Sequence, residues 1–198
     1  MFWKISLALW VYGGMALAVF AAEESAESGQ PSVTKEEAAF LGNVRQVTFG
    51  LPRAGEGYFS PDGKSIVYQA YPVGYPFYQI YVQALDEKTP MRISPGRGRT
   101  TCAYFSPDGS QILFAPAHTN PQMEREELEA RKIAAEGGRR RYQWDFDASM
   151  EIYTVDRDGT NLTRLTNAEG YDAEGSYSAD GKQIVFTSTR DGDPDLYV

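Results

Sequence analysis

From about residue 44 onward the chain alternates short apolar runs with polar breaks. SIVYQ, QILFA and QIVFTS are rich in β-branched and aromatic residues, and Gly, Pro, Asp or Ser closes each of them. Apolar runs of this length, bounded by turn residues, predict strands rather than helices. Each is preceded by a second run ending in an aromatic residue and Ser (YFS, YFS, SYS). It is followed by a third carrying an Ile-Tyr or Leu-Tyr pair (QIYV, EIYT, DLYV). A fourth run, a triplet ending in Thr or Ser (QVT, RIS, RLT), completes the pattern.

These runs keep register. Ser60, Ser106 and Ser178 each lie 12 residues after the last residue of a triplet, at Thr48, Ser94 and Thr166. The distance from Ile80 to Ile93 is 13 residues, and from Ile152 to Leu165 it is again 13. A fixed internal period is the mark of a repeat architecture. The segment YFSPDG occurs at 58–63 and again at 104–109, with SYSADG at 176–181. Ser suits the first position of a type I turn, Pro the second and Gly the fourth, so the motif predicts a hairpin corner. Asp62, Asp108 and Asp180 then read as turn formers, not as acids or bases.

Four-stranded antiparallel units repeating at this length predict an all-β fold, a β-propeller. About three blades are present over residues 44–198, and the ring is incomplete. The pattern opens on a lone outer strand near Val44–Phe49 and stops just after a third strand begins. Closed propellers have at least four blades, so a longer parent protein is expected. The second blade carries an insertion at about 119–147. There Asn120 and Pro121 suit a helix start, with early Glu and later Arg-Lys, and Gly137-Gly138 marks the end. Met123, Leu128 and Ile133 form no clean stripe, which predicts a surface helix acting as a lid.

The two YFSPDG copies, SADGKQIVFTSTRDG, DLYV and DRDGTNLTRLT resemble the repeats of TolB-type β-propeller proteins, the Tol biopolymer-transport-like periplasmic proteins. The resemblance covers about residues 44–198. It implies a periplasmic or secreted, non-catalytic scaffold. Its partner would be an envelope protein, such as a peptidoglycan-associated lipoprotein, or a glycan or peptide. The family sets an α/β domain before its propeller, where this chain shows a short helix. The alternative is the propeller portion of an exported peptidase or other hydrolase whose catalytic domain lies beyond Val198.

The N-terminal segment fits export. Lys4 precedes an uncharged run from Ile5 to Ala22 with small residues near its end, which reads as a signal peptide over 1–22. An uncleaved membrane anchor is the competing reading, and the chain's only link to a membrane. Residues 23–43 read as a polar linker with a helix of about two turns, opened by a capping box at Thr34–Glu37.

The net charge of −8 argues against nucleic acid as a partner. Cys102 is the only cysteine, so no intrachain disulfide can form. No HExxH or GxSxG motif is present, and His118 is the single histidine, so neither catalytic residues, a metal site nor a cofactor is assigned. His118 reads as a loop or strand-end residue hydrogen-bonded to backbone. The Asp156–Asn161 and Asp191–Asp195 runs read as turns rather than calcium loops.

Binding residues are sought on the variable loops, which all leave one face of a propeller. Those loops carry Tyr71, Tyr75, Arg97, Arg99, His118, Arg139, Arg140, Arg141 and Trp144. One reading is a pocket in which arginines grip carboxylates and aromatic rings stack on sugars or peptide side chains. The other is a solvated charged loop whose aromatics pack on the blade beneath.

Overall fold

The computed structural model describes residues 34–136 and 146–198. The chain divides into two compact units, Met1–Arg45 and Gln46–Val198. In the first, the capping box forms as the sequence predicts. The Glu37 amide donates to Thr34 Oγ1 at 3.2 Å, and the Thr34 amide donates back to Glu37 Oε2 at 2.9 Å. The helix it opens is one 3-10 turn, Glu37–Ala39, shorter than expected. None of its residues is buried, and so short a helix has little to hold it without packing.

The second unit holds three antiparallel sheets. The first contains β1 (Ala54–Phe59), β2 (Ser65–Ala70), β3 (Gln79–Ala84) and β4 (Met91–Arg92) in that order. The second contains β5 (Thr100–Phe105), β6 (Gln111–Pro116), β7 (Tyr153–Asp156) and β8 (Thr163–Arg164). The third contains β9 (Asp172–Tyr177), β10 (Ile184–Ser188) and β11 (Asp195–Tyr197). Strands next to each other in sequence are next to each other in the sheet, which is a blade. β1 lies against β5, and β5 against β9.

The Ser-x-Asp-Gly corners are turns in all three copies. Gly63, Gly109 and Gly181 donate to the carbonyls of Ser60, Ser106 and Ser178 at 2.8–2.9 Å. Each Ser hydroxyl donates to its Asp and accepts an amide at or just before the start of the next strand. The three corners share one side. A Cβ on Gly109 would sit 3.4 Å from Pro61 Cδ, and one on Gly181 would sit 3.5 Å from Pro107 Cδ. The proline of each corner therefore seats the glycine of the next, at positions where φ near +70° favours Gly.

The recurring Ser or Thr of the triplet also has a role. Ser94 Oγ accepts the Ile80 amide at 3.0 Å, and Thr166 Oγ1 accepts the Ile152 amide at 2.9 Å. β4 and β8 end two residues earlier, so the hydroxyl replaces the backbone acceptor that a longer strand would supply. Gln79 and Glu151, both buried, accept from these hydroxyls.

Blades pack through a dry core. Val67, Ile80, Ile112 and Phe114 meet between the first and second blades. Leu113, Ala115, Ile152, Ala173 and Phe186 meet between the second and third. β2 and β6 are covered on both faces, which is why their sequences run almost continuously apolar. On the far side of the first blade Val47 packs against Ile66, Tyr68 and Tyr81, and its carbonyl accepts Gln83 Nε2 at 2.7 Å. The expected outer strand at 44–49 joins no sheet among the described residues.

One feature of the inner strands was not expected from the repeat. Glu56, Cys102 and Glu174 take φ of 48°, 49° and 58° at the same repeat position, where the register of each sheet slips. These are β-bulges. A small residue follows each, and at Gly175 a Cβ would lie 2.7 Å from Leu113 Cδ2. Cys102 is half-buried, its Sγ 3.5 Å from Glu56 Oε2.

Candidate functional site

The loops opposite the corners contain the insertion. α1 spans Met123–Ala135, starting later than the Asn-Pro pair suggests. Asn120 forms a preceding turn instead, its Oδ1 accepting the Gln122 amide at 2.8 Å. Its Nδ2 is committed to Asp147 Oδ2 at 3.1 Å and Glu126 Oε1 at 3.2 Å. α1 is docked rather than loose. Met123 and Ala130, seven positions apart, enter the core beside Phe77 and Tyr171, while Leu128 is exposed. Phe146, on the far side of the insertion, stacks on Tyr171 with ring centroids 4.9 Å apart.

Arg99 holds the helix from below. Its guanidinium pairs with Glu126 and with Asp147, the latter at 3.4 Å, and lies 4.2 Å from the centroid of Phe77. Tyr75 holds it from the side. Its hydroxyl donates to Glu127 and accepts the Gly98 amide at 2.6 Å. Burial first, and then the Glu127 carboxylate, push the Tyr75 hydroxyl well above the usual tyrosine range, so it stays protonated and keeps donating.

Between α1 and the β2–β3 loop lies a cleft of 690 Å³. Pro52, Pro72 and Pro76 form its apolar walls with Tyr71 and Tyr75, and Ala134 and Ala135 close the helix side. Two arginines flank it. Arg53 lies 5.6 Å from the ring centroid of Tyr71, and Arg131 lies 5.6 Å from that of Tyr75. Among the described residues that line it, none carries a carboxylate or a carboxamide. The lining is thus apolar apart from two arginines and two tyrosine hydroxyls, with the Glu127 carboxylate bonded to the Tyr75 hydroxyl beside it.

The sequence candidates therefore separate. Tyr71 and Tyr75 line the cleft. Arg99 lies under the helix. Arg97 is exposed, and with Arg164 it raises the positive potential at His118. His118 packs edge-on to Tyr153 at 5.1 Å, and its Nδ1 is buried without a hydrogen-bond partner among the described residues, unlike the backbone bond expected. Burial and the two arginines hold its pKa below the ordinary histidine value, so it is neutral at pH 7. Arg139, Arg140, Arg141 and Trp144 lie outside the described residues.

Sequence reasoning missed Arg53 and Arg131. Arg53 was within reach, since it stands seven residues before Ser60, as Arg99 stands seven before Ser106. Their carbonyls do the same work, accepting the amides of Tyr71 and Ala117 at 2.9 Å. Arg131 has no counterpart in another blade, because the insertion is unique to the second.

No family model matches the chain. Over 150 residues, 69% of the chain and 34% of the relative, it is 29% identical to a TolB homolog of Chlorobium luteolum. Over 147 residues, 74% of the chain and 40% of the relative, it is 27% identical to an uncharacterized protein of Agrobacterium fabrum. The crystal structure of TolB from Acinetobacter baumannii superposes with a TM-score of 0.51 at 25% identity, covering 74% of this chain and 30% of that one. The chain thus spans between a third and two fifths of the length of these curated relatives.

Proposed function

We propose that this TolB-like propeller segment is a non-catalytic binding scaffold of the bacterial cell envelope. On this reading the loop face opposite the Ser-x-Asp-Gly corners takes the partner. The observation that carries it is the cleft between Tyr71, Tyr75 and α1. It is a concave, mostly apolar recess with a few charged groups at its edge, the usual form of a recognition site. The corner side offers a contrast, because its polar groups are spent on closing turns. Export rests on the apolar run at 5–22, and a protein partner in the envelope on the likeness to TolB proteins.

A photocrosslinking residue at Val73, on the cleft-side loop, tests this in the producing cell, with Lys182 on the corner side as the control. The expected result is a discrete adduct from position 73 alone, in the exported fraction. Identical adducts from both positions, or a chain retained in the cytoplasm, would refute it.

A further inference from the structure

The cleft's chemistry narrows what it can hold. Its charged side chains, Arg53 and Arg131, are donors without acceptor capacity. The Tyr75 hydroxyl is already bonded to Glu127 and Gly98. The carbonyls of Arg53 and Pro72 accept the Tyr71 and Tyr75 amides at 2.9 and 3.1 Å. The charged side chains of the cleft thus call for a ligand with acceptors, carboxylates above all. The apolar remainder of the lining suits a strand with few donors, and a proline-containing strand has few, because proline has no N–H. Its rings also suit the faces of Tyr71 and Tyr75, and its extended conformation loses little freedom on docking.

We infer that the cleft binds an extended, proline-containing acidic peptide segment. Its prolines lie against Tyr71 and Tyr75, and its carboxylates meet Arg53 and Arg131. Each guanidinium sits over a tyrosine ring, so its planar fork is held in place before the carboxylate arrives. Both arginines are exposed and neither is ion-paired with a carboxylate in the described contacts, so they can be changed without disturbing the blades. This inference rests on the scaffold reading and specifies its ligand.

The probe is acetyl-Glu-Pro-Pro-Glu-Pro-Pro-amide, titrated calorimetrically into the full chain. Its Gln-for-Glu analogue, a Glu-Gly-Ser hexapeptide and an N-acetylglucosamine hexamer serve as comparisons. The expected result is saturable binding of the first peptide, about tenfold weaker for Arg53→Gln or Arg131→Gln. It should weaken also for the Gln analogue and the Gly-Ser peptide, and fall as salt rises. Circular dichroism of both variants should match the parent. Equal binding of the Glu and Gln peptides, unchanged binding by the double variant, or preference for the hexamer would each overturn the inference. Should the Val73 crosslinks persist while the peptide fails, the ligand class is wrong and the scaffold reading stands. Loss of both removes both.

Discussion

Replacing Arg99 by Ala separates a structural arginine from a ligand-gripping one. Its side chain is 11% exposed and that of Asp147 6%, so the pair lies largely out of water. Removing the guanidinium leaves the Asp147 carboxylate with Asn120 Nδ2 and the Ser149 amide as partners, at 3.1 and 2.9 Å. It also strips Glu126 of its cation and Phe77 of its stacked neighbour. Breaking a buried ion pair from one side costs about 3–5 kcal/mol. The two surviving hydrogen bonds to Asp147 place the expected loss near the lower end, at about 3 kcal/mol. Arg97→Ala, on an exposed side chain, should shift stability by no more than about 0.5 kcal/mol. Arg99→Lys should fall between, because a point charge cannot serve two carboxylates and a ring face with one planar group. Urea denaturation followed by tryptophan fluorescence and by far-ultraviolet circular dichroism measures all three. A loss below about 1 kcal/mol for Arg99→Ala would refute the anchoring role, as would equal losses at 97 and 99.

Three further outcomes follow from the repeat. Hydrogen bonds from Ser hydroxyls and backbone amides hold the carboxyls of Asp62, Asp108 and Asp180 below the usual value, Asp108 at about 2. A depressed folded pKa gives stability that is present above the unfolded value and lost as pH falls through the folded one. Thermal midpoints should therefore be level above about pH 5 and decline toward pH 2. The Asp→Asn triple variant should show a shallower acid limb, and an unchanged limb would count against the turn assignment. Gly175→Ala drives a methyl against Leu113 and should cost about 1–3 kcal/mol in chemical denaturation, whereas Gly55→Ala meets nothing and should not. The Cys102 thiol is pushed up to about 12, first by burial and then by Glu56 and Glu174. Alkylation by iodoacetamide at pH 8 should be slow in the folded chain and rapid in urea, and fast labelling of folded chain would contradict the bulge geometry.

The blades were legible because their signals are local and repeated. Ser-x-Asp-Gly names a turn by residue type, and the 12- and 13-residue spacings name the strands around it. The role of Ser94 and Thr166 was visible only as a coincidence of spacing, since nothing in the letters says that a hydroxyl completes a ladder. The bulges at Glu56, Cys102 and Glu174 were not read from the sequence, because no turn motif marks them and the small residue after each, Gly57, Ala103 or Gly175, is a weak sign inside a strand. Arg99 misled for another reason. An arginine in a loop reads as available, and only the fold brings Glu126 and Asp147 to it from 27 and 48 residues away.

Arg53 and Arg99 show how one repeat position can acquire two functions. Both precede an inner strand, and both carbonyls tie down the chain leaving the second strand of the same blade. The difference lies above them. The insertion in the second blade lowers α1 onto Arg99, supplies Glu126 and Asp147, and turns that arginine into an anchor. No equivalent helix covers Arg53, which instead stacks on Tyr71 at the mouth of the cleft. The same helix contributes Arg131 to the lining of that cleft, over the ring of Tyr75. A single insertion thus pairs one arginine of the repeat with carboxylates and brings a second cation to the recess that the other lines. Neither Arg53 nor Arg131 has a carboxylate partner among the described ion pairs, so an anionic ligand entering the recess would meet two guanidiniums already placed against tyrosine rings.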